Sequence, residues 1–351
     1  MPNLSVDKPA FCYGLGWWTD KPMNTLNSRI SSIKAYLPPL IVPNATIEKQ
    51  FGMALGSIEE LTGLRARRHA TPDEHPTDMG MKAVELVLTE TGLNPRELDL
   101  IISANASKDQ SVPTDAMNYA HKLGLEQVQT CHLEVVCLSF IQALEMADLY
   151  IRAGKKKAVL VVSAEKCSKV LDPHNPETWI VLGDGAAAAL LQPTKDPSRI
   201  ETTRIFTLPA GKNIHSSFIK GGGTRYHPFD PDYVPEWGYF KIDGSLQYKL
   251  SLRQIPRLMD LLLSQTGLSL TDIDYVIPHQ IIPRFISTIA AEIGFSLEKI
   301  HINPDLGNQA AASIPVALAQ AVETGRVRRG SRVLLIGGAA GFTVGGAILV
   351  Y

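Results

Sequence analysis

At 351 residues the chain is long enough for one large two-lobed domain or two domains. Its 45% hydrophobic and 20% charged residues are those of an ordinary globular protein, and a net charge of −1 gives no electrostatic reason to bind nucleic acid or an anionic membrane surface. No apolar run reaches the ~18 residues of a membrane span, the N-terminus lacks the basic start and apolar core of a secretory signal, and the four cysteines (Cys12, Cys131, Cys137, Cys167) show no metal or disulfide spacing. The expectation is a cytoplasmic protein with reduced thiols and no zinc site.

Residues 1–26 are rich in Pro, Gly and aromatics (Trp17, Trp18) and lack a period, as in an extension laid on the surface or reaching a partner. Ser28–Tyr36 reads as a strand. Residues 46–63 read as one helix with Ile47, Phe51, Leu55, Ile58 and Leu61 on one face. A helix over 77–91, a buried strand over 98–103 and a helix over 113–122 follow. Residues 133–136 form a short apolar strand that runs into Cys137. A helix then presents Phe140, Leu144, Ala147 and Ile151 on one side. A strand over 158–163, a loop over about 167–179 and an Ala-rich strand over 183–191 complete the first half.

The second half repeats this plan. Gly92–Asn105 matches Gly267–Gln280 at an offset of 175 (92 to 267), and the strand from Ala158 matches the strand from Val333 at the same offset. Ala186–Leu191 has a counterpart in Gly346–Tyr351. A period of half the chain indicates a duplicated lobe. Strands alternating with helices, several of them apolar throughout, predict a mostly parallel sheet in each lobe, covered by helices. The lobes divide as 27–195 and 196–351. By the repeat, Cys137 corresponds to position 312, and the loop entering the second-lobe helix carries Asn308, while His279 ends a repeated strand.

Cys137 at a strand-to-helix junction sits where the positive end of a helix dipole favours thiolate; a buried structural thiol is the other reading. Such a sulfur holds an acyl group as an activated thioester. His279 and Asn308, as neutral donors, would then stabilise the enolate formed when a malonyl-type thioester loses carbon dioxide. Taken singly, His279 also fits a core histidine and Asn308, after Gly307, a left-handed turn residue. Asp184, between two glycines, reads as a structural turn residue, and His132 and His174 have no evident partner.

With these residues in place the sequence resembles the ketoacyl-ACP synthase III family of the thiolase superfamily, from about Ser28 to Tyr351. The markers are Thr62–His69, the Cys137 helix, Gly183–Ala186, Pro278–Gln280, Gly307–Pro315 and Gly341–Gly346. The resemblance implies an α/β fold with five α-β-α-β-α layers, a homodimer, and Cys137, His279 and Asn308 as catalytic triad. It implies an oxyanion hole from the backbone N–H groups of Cys137 and Ala340, and carrier-protein docking near Arg284. It implies no tightly held cofactor, with acyl carrier protein, coenzyme A or both carrying the substrates. Val112, Leu138 and Phe140 fall at the acyl pocket, and the smaller Val112 leaves room for a longer or branched chain.

Departures from the pattern are informative. The family's adenine-sandwiching Trp and Arg fall on Ser57 and Pro176, and a further Arg on Leu61. Leu138 and Ser139 stand where smaller residues are usual, and Tyr226–Trp237 is an insertion. These changes imply a specialised secondary-metabolic relative whose acyl donor is carried on a protein. The same set also fits an acyltransferase that passes the acyl group from Cys137 to a hydroxyl or amine without forming a carbon–carbon bond.

Overall fold

The computed structural model describes residues 26–351; the extension assigned to 1–26 lies, but for Leu26, outside the described residues. The chain begins with β1 (Asn27–Tyr36), β2 (Leu40–Pro43), α1 (Asn44–Gln50), α2 (Ser57–Thr62), β3 (Ala66–His69) and α3 (Pro76–Thr91). It continues through β4 (Leu100–Ala104), α4 (Asp115–Lys122), β5 (Gln129–Leu133), α5 (Ser139–Arg152), β6 (Val159–Lys166), α6 (Pro176–Val181) and β7 (Asp184–Thr194). The second half holds β8 (Arg199–Thr207), β9 (Ser217–Ile219), β10 (Phe240–Ile242), α7 (Gly244–Thr266), β11 (Tyr275–Pro278), α8 (Pro283–Glu292), α9 (Ser313–Glu323), β12 (Arg332–Ala339) and β13 (Thr343–Val350).

Two sheets carry the architecture, ordered β1-β7-β6-β4-β5 and β8-β13-β12-β11. Alternation along each strand separates its neighbours, because successive side chains point to opposite faces. On β6, Val159 and Val161 face the central core while Leu160 and Val162 face α3 and α4. On β12, Val333 and Leu335 face the same central core while Leu334 and Ile336 face α7 and α8. Helices α5 and α9 fill the space between the sheets, with Phe140, Leu144, Ile314 and Leu318 buried there. The result is five layers, α-β-α-β-α, as the resemblance implies. Each fully buried Leu, Ile or Phe contributes roughly 1.5–3 kcal/mol relative to exposure, and the central layer collects such side chains from both sheets.

The repeat is visible residue by residue. Leu100 pairs with Val159 on parallel strands, and Tyr275 pairs with Val333. Both antiparallel neighbours carry a register irregularity at the same place, between Ile30 and Ser32 and beside Leu349. The offset is 175 at β4 and β11 (100 to 275) but 174 at β6 and β12 (159 to 333), so Cys137 corresponds to Ala311 rather than to position 312. The counterpart of β5 is a single parallel bridge between Val276 and Ile300.

Three sequence expectations are corrected. Residues 46–63 form two helices, α1 and α2, because Gly52 and Gly56 adopt left-handed φ of 64° and 83° and break the helix between them. The expected apolar face is therefore split: Ile47 and Ile58 are buried, whereas Leu55 and Leu61 are 79% and 65% exposed. The strand expected over 133–136 ends at Leu133. The expected loop at 167–179 contains a 3₁₀ turn, Cys167–Val170, and the start of α6.

Candidate active site

The turn before α5 places the sulfur. Val136, directly before Cys137, has φ of 49°, an unusual conformation for a β-branched residue. Ser139 holds it there: its Oγ accepts from the Val135 N–H at 2.8 Å and donates to the Val136 carbonyl at 2.7 Å. The turn before α9 is built the same way. Ala310 has φ of 43°, and Ser313 Oγ accepts from the Gln309 N–H at 3.0 Å. Among the described residues Val136 and Ala310 are the two non-glycine residues with positive φ, 174 positions apart (136 to 310). Backbone strain of this kind costs on the order of 1–3 kcal/mol per residue and clusters at functional sites.

Asn308 precedes the second turn. Its Oδ1 accepts from the Ala310 N–H at 2.9 Å, its N–H donates to the Val181 carbonyl at 2.7 Å, and its carbonyl accepts from Gly183 N–H at 2.9 Å. With Oδ1 engaged, the Nδ2 group is the one left to donate outward. Two glycines permit this packing. A Cβ on Gly183 would sit 2.2 Å from the Leu306 carbonyl, and one on Gly307 2.9 Å from the Val181 carbonyl. The left-handed residue here is Gly307, at φ 73°, not Asn308.

His279 follows β11, its N–H bonded to the Ile336 carbonyl at 2.8 Å, and its Cβ lies where a side chain on Gly337 would be. It is buried, and burial pushes its pKa down to about 4, so the ring is neutral at pH 7. An apolar cavity of about 60 Å³ runs beside it, walled by Met259, Phe285, Ile286 and Ile289.

Strand β12 ties these groups together. Gly337 touches His279, and three residues on, roughly 10 Å at 3.3 Å per residue, the N–H of Ala340 points to Cys137. The N–H groups of Ala340 and of Cys137 itself both favour the thiolate. Burial outweighs them, and the buried carboxylate of Glu165 adds to its effect, so the Cys137 thiol is pushed up to about 12. The expectation that the helix dipole favours thiolate is thereby corrected: Cys137 lies two residues before the first helical residue, and desolvation exceeds the dipole.

Other expected site residues are placed as follows. Leu138 and Phe140 are buried in the central core, and Val112 is 84% exposed before α4. Arg284 is exposed at the second position of α8. Ser57 and Leu61 lie on α2 and Pro176 starts α6. Asp184 is structural, but as a buried strand residue: it accepts from Ala70 N–H at 2.8 Å and from Ser168 N–H at 2.7 Å. His132 Nδ1 meets Ser103 Oγ at 2.7 Å. Sequence reasoning passed over Glu165, a fully buried carboxylate near the sulfur, because nothing in its local pattern marks it. It also passed over the exposed basic stripe Lys249, Arg253 and Arg257 on α7, legible in its i, i+4, i+8 spacing.

Paired lobes with matched helix-entry turns, Cys137 on one and Asn308 just before the other, mark the thiolase fold, and the chain is an acyl-thioester condensing enzyme, an acyltransferase. Comparison with known proteins gives the family. Residues 132–208 match the model for 3-oxoacyl-[acyl-carrier-protein] synthase III, and residues 263–351 match the model for its C-terminal part. The chain is 32% identical over 329 residues to a β-ketoacyl-[acyl-carrier-protein] synthase III of Mesorhizobium japonicum, covering 93% of this chain and 99% of that one. It superposes on the 3-oxoacyl-[acyl-carrier-protein] synthase III of Aquifex aeolicus with a TM-score of 0.83 at 31% identity, over 92% of this chain and 100% of that one. A priming β-ketosynthase from a polyketide biosynthetic pathway superposes with a TM-score of 0.84 at 28% identity, over 92% and 96%. The chain belongs to the β-ketoacyl-[acyl-carrier-protein] synthase III family.

The raised thiol pKa has a direct readout. Alkylation of Cys137 by iodoacetamide, followed by peptide mass, should quicken steadily with pH from 6 to 10 with no plateau below about pH 10, since the thiolate is populated only as pH approaches 12. A plateau near pH 7 would mean that the dipole controls the sulfur.

Proposed function

We propose that the chain loads an acyl group on Cys137 and condenses it with a malonyl-type or β-ketoacyl thioester, in fatty-acid or polyketide-type biosynthesis. Residues 27–195 and 196–351 serve as its two lobes. In the loading step the Cys137 sulfur attacks the donor thioester carbonyl and the carrier thiol leaves with the proton. The N–H groups of Cys137 and Ala340 stabilise the oxyanion. With a malonyl thioester the bond to the carboxylate then breaks, carbon dioxide leaves, and its electron pair forms an enolate held by His279 and the Asn308 Nδ2 group. The enolate carbon attacks the acyl carbonyl, the new carbon–carbon bond forms, and the Cys137 sulfur departs. The carrying observation is that both donors are neutral: His279 is buried with its pKa lowered, and Asn308 is engaged through Oδ1, which leaves its amide free. A charged acid in either place would repel the enolate.

The carrier of the donor is read from the surface. Ser57, Leu61 and Pro176 offer no stacking or ion-pairing group for a nucleotide. The exposed Lys249, Arg253 and Arg257 stripe, with Arg284 on the neighbouring helix, suits an acidic carrier protein. Tyr248 and Phe285, with ring centroids 4.9 Å apart, join the two helices. We assign acyl carrier protein as the partner on this basis, with no tightly held cofactor and a cytoplasmic location, where a reducing milieu keeps the Cys137 thiol free. The pocket assignments of Val112, Leu138 and Phe140 belong to the same reading. The altered nucleotide contacts also favour a second reading, transfer of the acyl group to a hydroxyl or amine. Product mass separates the two, since only condensation with a malonyl-type partner releases carbon dioxide.

A homodimer forms part of the proposal. Strand β5 is an open sheet edge, and beside it an apolar groove of about 700 Å³ is lined by Leu133, Met146, Leu149 and Tyr150. An open edge with an apolar flank calls for a cover, and a second copy related by a two-fold axis supplies the same edge and groove.

Three measurements test these assignments. Asn308→Ala should still take up an acyl label on Cys137 by intact mass while condensation falls roughly 10²-fold or more, the scale of one lost oxyanion donor; equal loss of both steps would remove the role given to Asn308. Arg284→Glu should raise KM for a carrier-borne acyl donor by about tenfold, with little change for a small acyl thioester; unchanged KM for the carrier would move the docking face elsewhere. Leu149→Asp should sediment as a monomer at concentrations where the wild-type chain is a dimer; a dimer in both would place the interface off this groove.

A further inference from the structure

Glu165 is a buried ionisable group that the steps above do not use. It lies at the end of β6, fully enclosed, with Oε1 2.8 Å from the Ala106 N–H and Oε2 2.8 Å from the Ser107 N–H. The Ser107 hydroxyl and the backbone N–H of Ala311 also stabilise its ionised form. Burial raises its pKa to about 7 against these donors. One carboxylate thus gathers donors from the loop after β4 and from the turn that follows Asn308.

The pseudo-symmetry shows what this contact is. Ala311 is the counterpart of Cys137, 174 residues on, in a turn of the same left-handed form. The counterpart of Glu165 by strand register is Ala339, since Glu165 pairs with Gly185 on β7 as Ala339 pairs with Thr343 on β13. In one lobe the turn N–H therefore meets a carboxylate. In the other, the equivalent N–H, that of Cys137, acts with the N–H of Ala340 on the Cys137 sulfur, and the residue at the register of Glu165 is an alanine with no carboxylate. This member of the pair is the position assigned above to the substrate oxyanion. The filled member is closed by an internal anion.

We propose that Glu165 is a positioning residue, whose carboxylate occupies the pseudo-symmetric mate of the oxyanion hole and thereby holds the turn that presents Asn308. This rests on the role given above to Asn308 in condensation. Glu165 reaches that turn through Ala311, one residue past Ala310, whose N–H in turn binds Asn308 Oδ1. A glutamine at 165 would set an amide nitrogen against one of the backbone N–H donors and loosen the turn; by removing the nearby negative charge it would also let the Cys137 thiol pKa fall, which eases loading rather than slowing it. Loss of this acid therefore slows the second half-reaction without slowing the first.

The experiment compares Glu165→Gln, Asn308→Ala and the double variant at pH 8, above the Glu165 pKa, measuring acyl uptake on Cys137 by intact mass and condensation rate separately. Glu165→Gln should load no slower than wild type, since the charge that raises the Cys137 thiol pKa is gone, and condense roughly tenfold slower with KM unchanged, the scale of a misplacement below the 1 Å that costs about 10²-fold. In the double variant it should add nothing to the loss from Asn308→Ala, because both act on one group. Wild-type condensation by Glu165→Gln, a parallel fall in loading, or losses that multiply in the double variant would overturn the inference. Normal condensation by Asn308→Ala would instead overturn the reading of Asn308, and the inference with it. Should Glu165→Gln not fold, Ser107→Ala, which removes one donor to the same carboxylate, should show the same selective loss at about threefold, and an unselective loss or none would count against the proposal.

Discussion

Two buried serine hydroxyls hold the turns on which the chemistry depends. Ser139 and Ser313 each accept a hydrogen bond from the backbone four residues earlier, and each closes a turn whose second residue is forced to positive φ. Without that bond, Val136 and Ala310 would relax to ordinary backbone and both loops would turn their N–H groups elsewhere. The strain is held because the turns are wedged between α5, α9 and the two sheets, where close packing leaves no room to unwind. The duplicated fold thus supplies one rigid turn twice. Divergence made one carry a nucleophile and the other follow an amide.

Desolvation sets the chemical character of the site. The same enclosure raises the Cys137 thiol to about 12 and lowers His279 to about 4, so both are neutral at rest. Neutral groups cost little to bury and can donate to a developing oxyanion without a preceding proton transfer. The local fields that favour thiolate, the N–H groups of Cys137 and Ala340, do not win in the resting protein. In the proposed reaction they act when negative charge develops on sulfur or oxygen. Glu165, the one carboxylate close enough to raise the thiol pKa markedly, is itself bound by backbone donors.

The interior and the surface differ in how tightly each position is packed. The interior keeps glycines where a Cβ would collide with backbone, at Gly183 and Gly307, because the Asn308 loop packs there within van der Waals distance. On α2, Leu61 is exposed, and Ser57 and Pro176 are half-buried, so these positions lie outside the packed core. The basic stripe of α7 and Arg284 of α8 lie on one pair of helices joined by aromatic contact. In the proposed reading, donor choice and condensation chemistry therefore fall on separate parts of the molecule.

The strands at 98–103 and 158–163, the Cys137 helix and the half-chain repeat were legible in the sequence because apolar period and run length are local properties of the chain. The family markers gave Cys137, His279, Asn308 and Ala340 as one expected set, which the proposed function uses. The helix at 46–63 was misread because apolar spacing is blind to two glycines that take left-handed φ once Ile47 and Ile58 are buried separately. The thiolate was misread for a related reason: a helix dipole can be inferred from a pattern, but the loss of water around a sulfur cannot. The one-residue slip of the repeat, the paired strained turns and the place of Glu165 came only with tertiary structure. Each is a matter of register or enclosure between segments far apart in the chain, and those are decided by how layers pack rather than by the order of residues within any one of them.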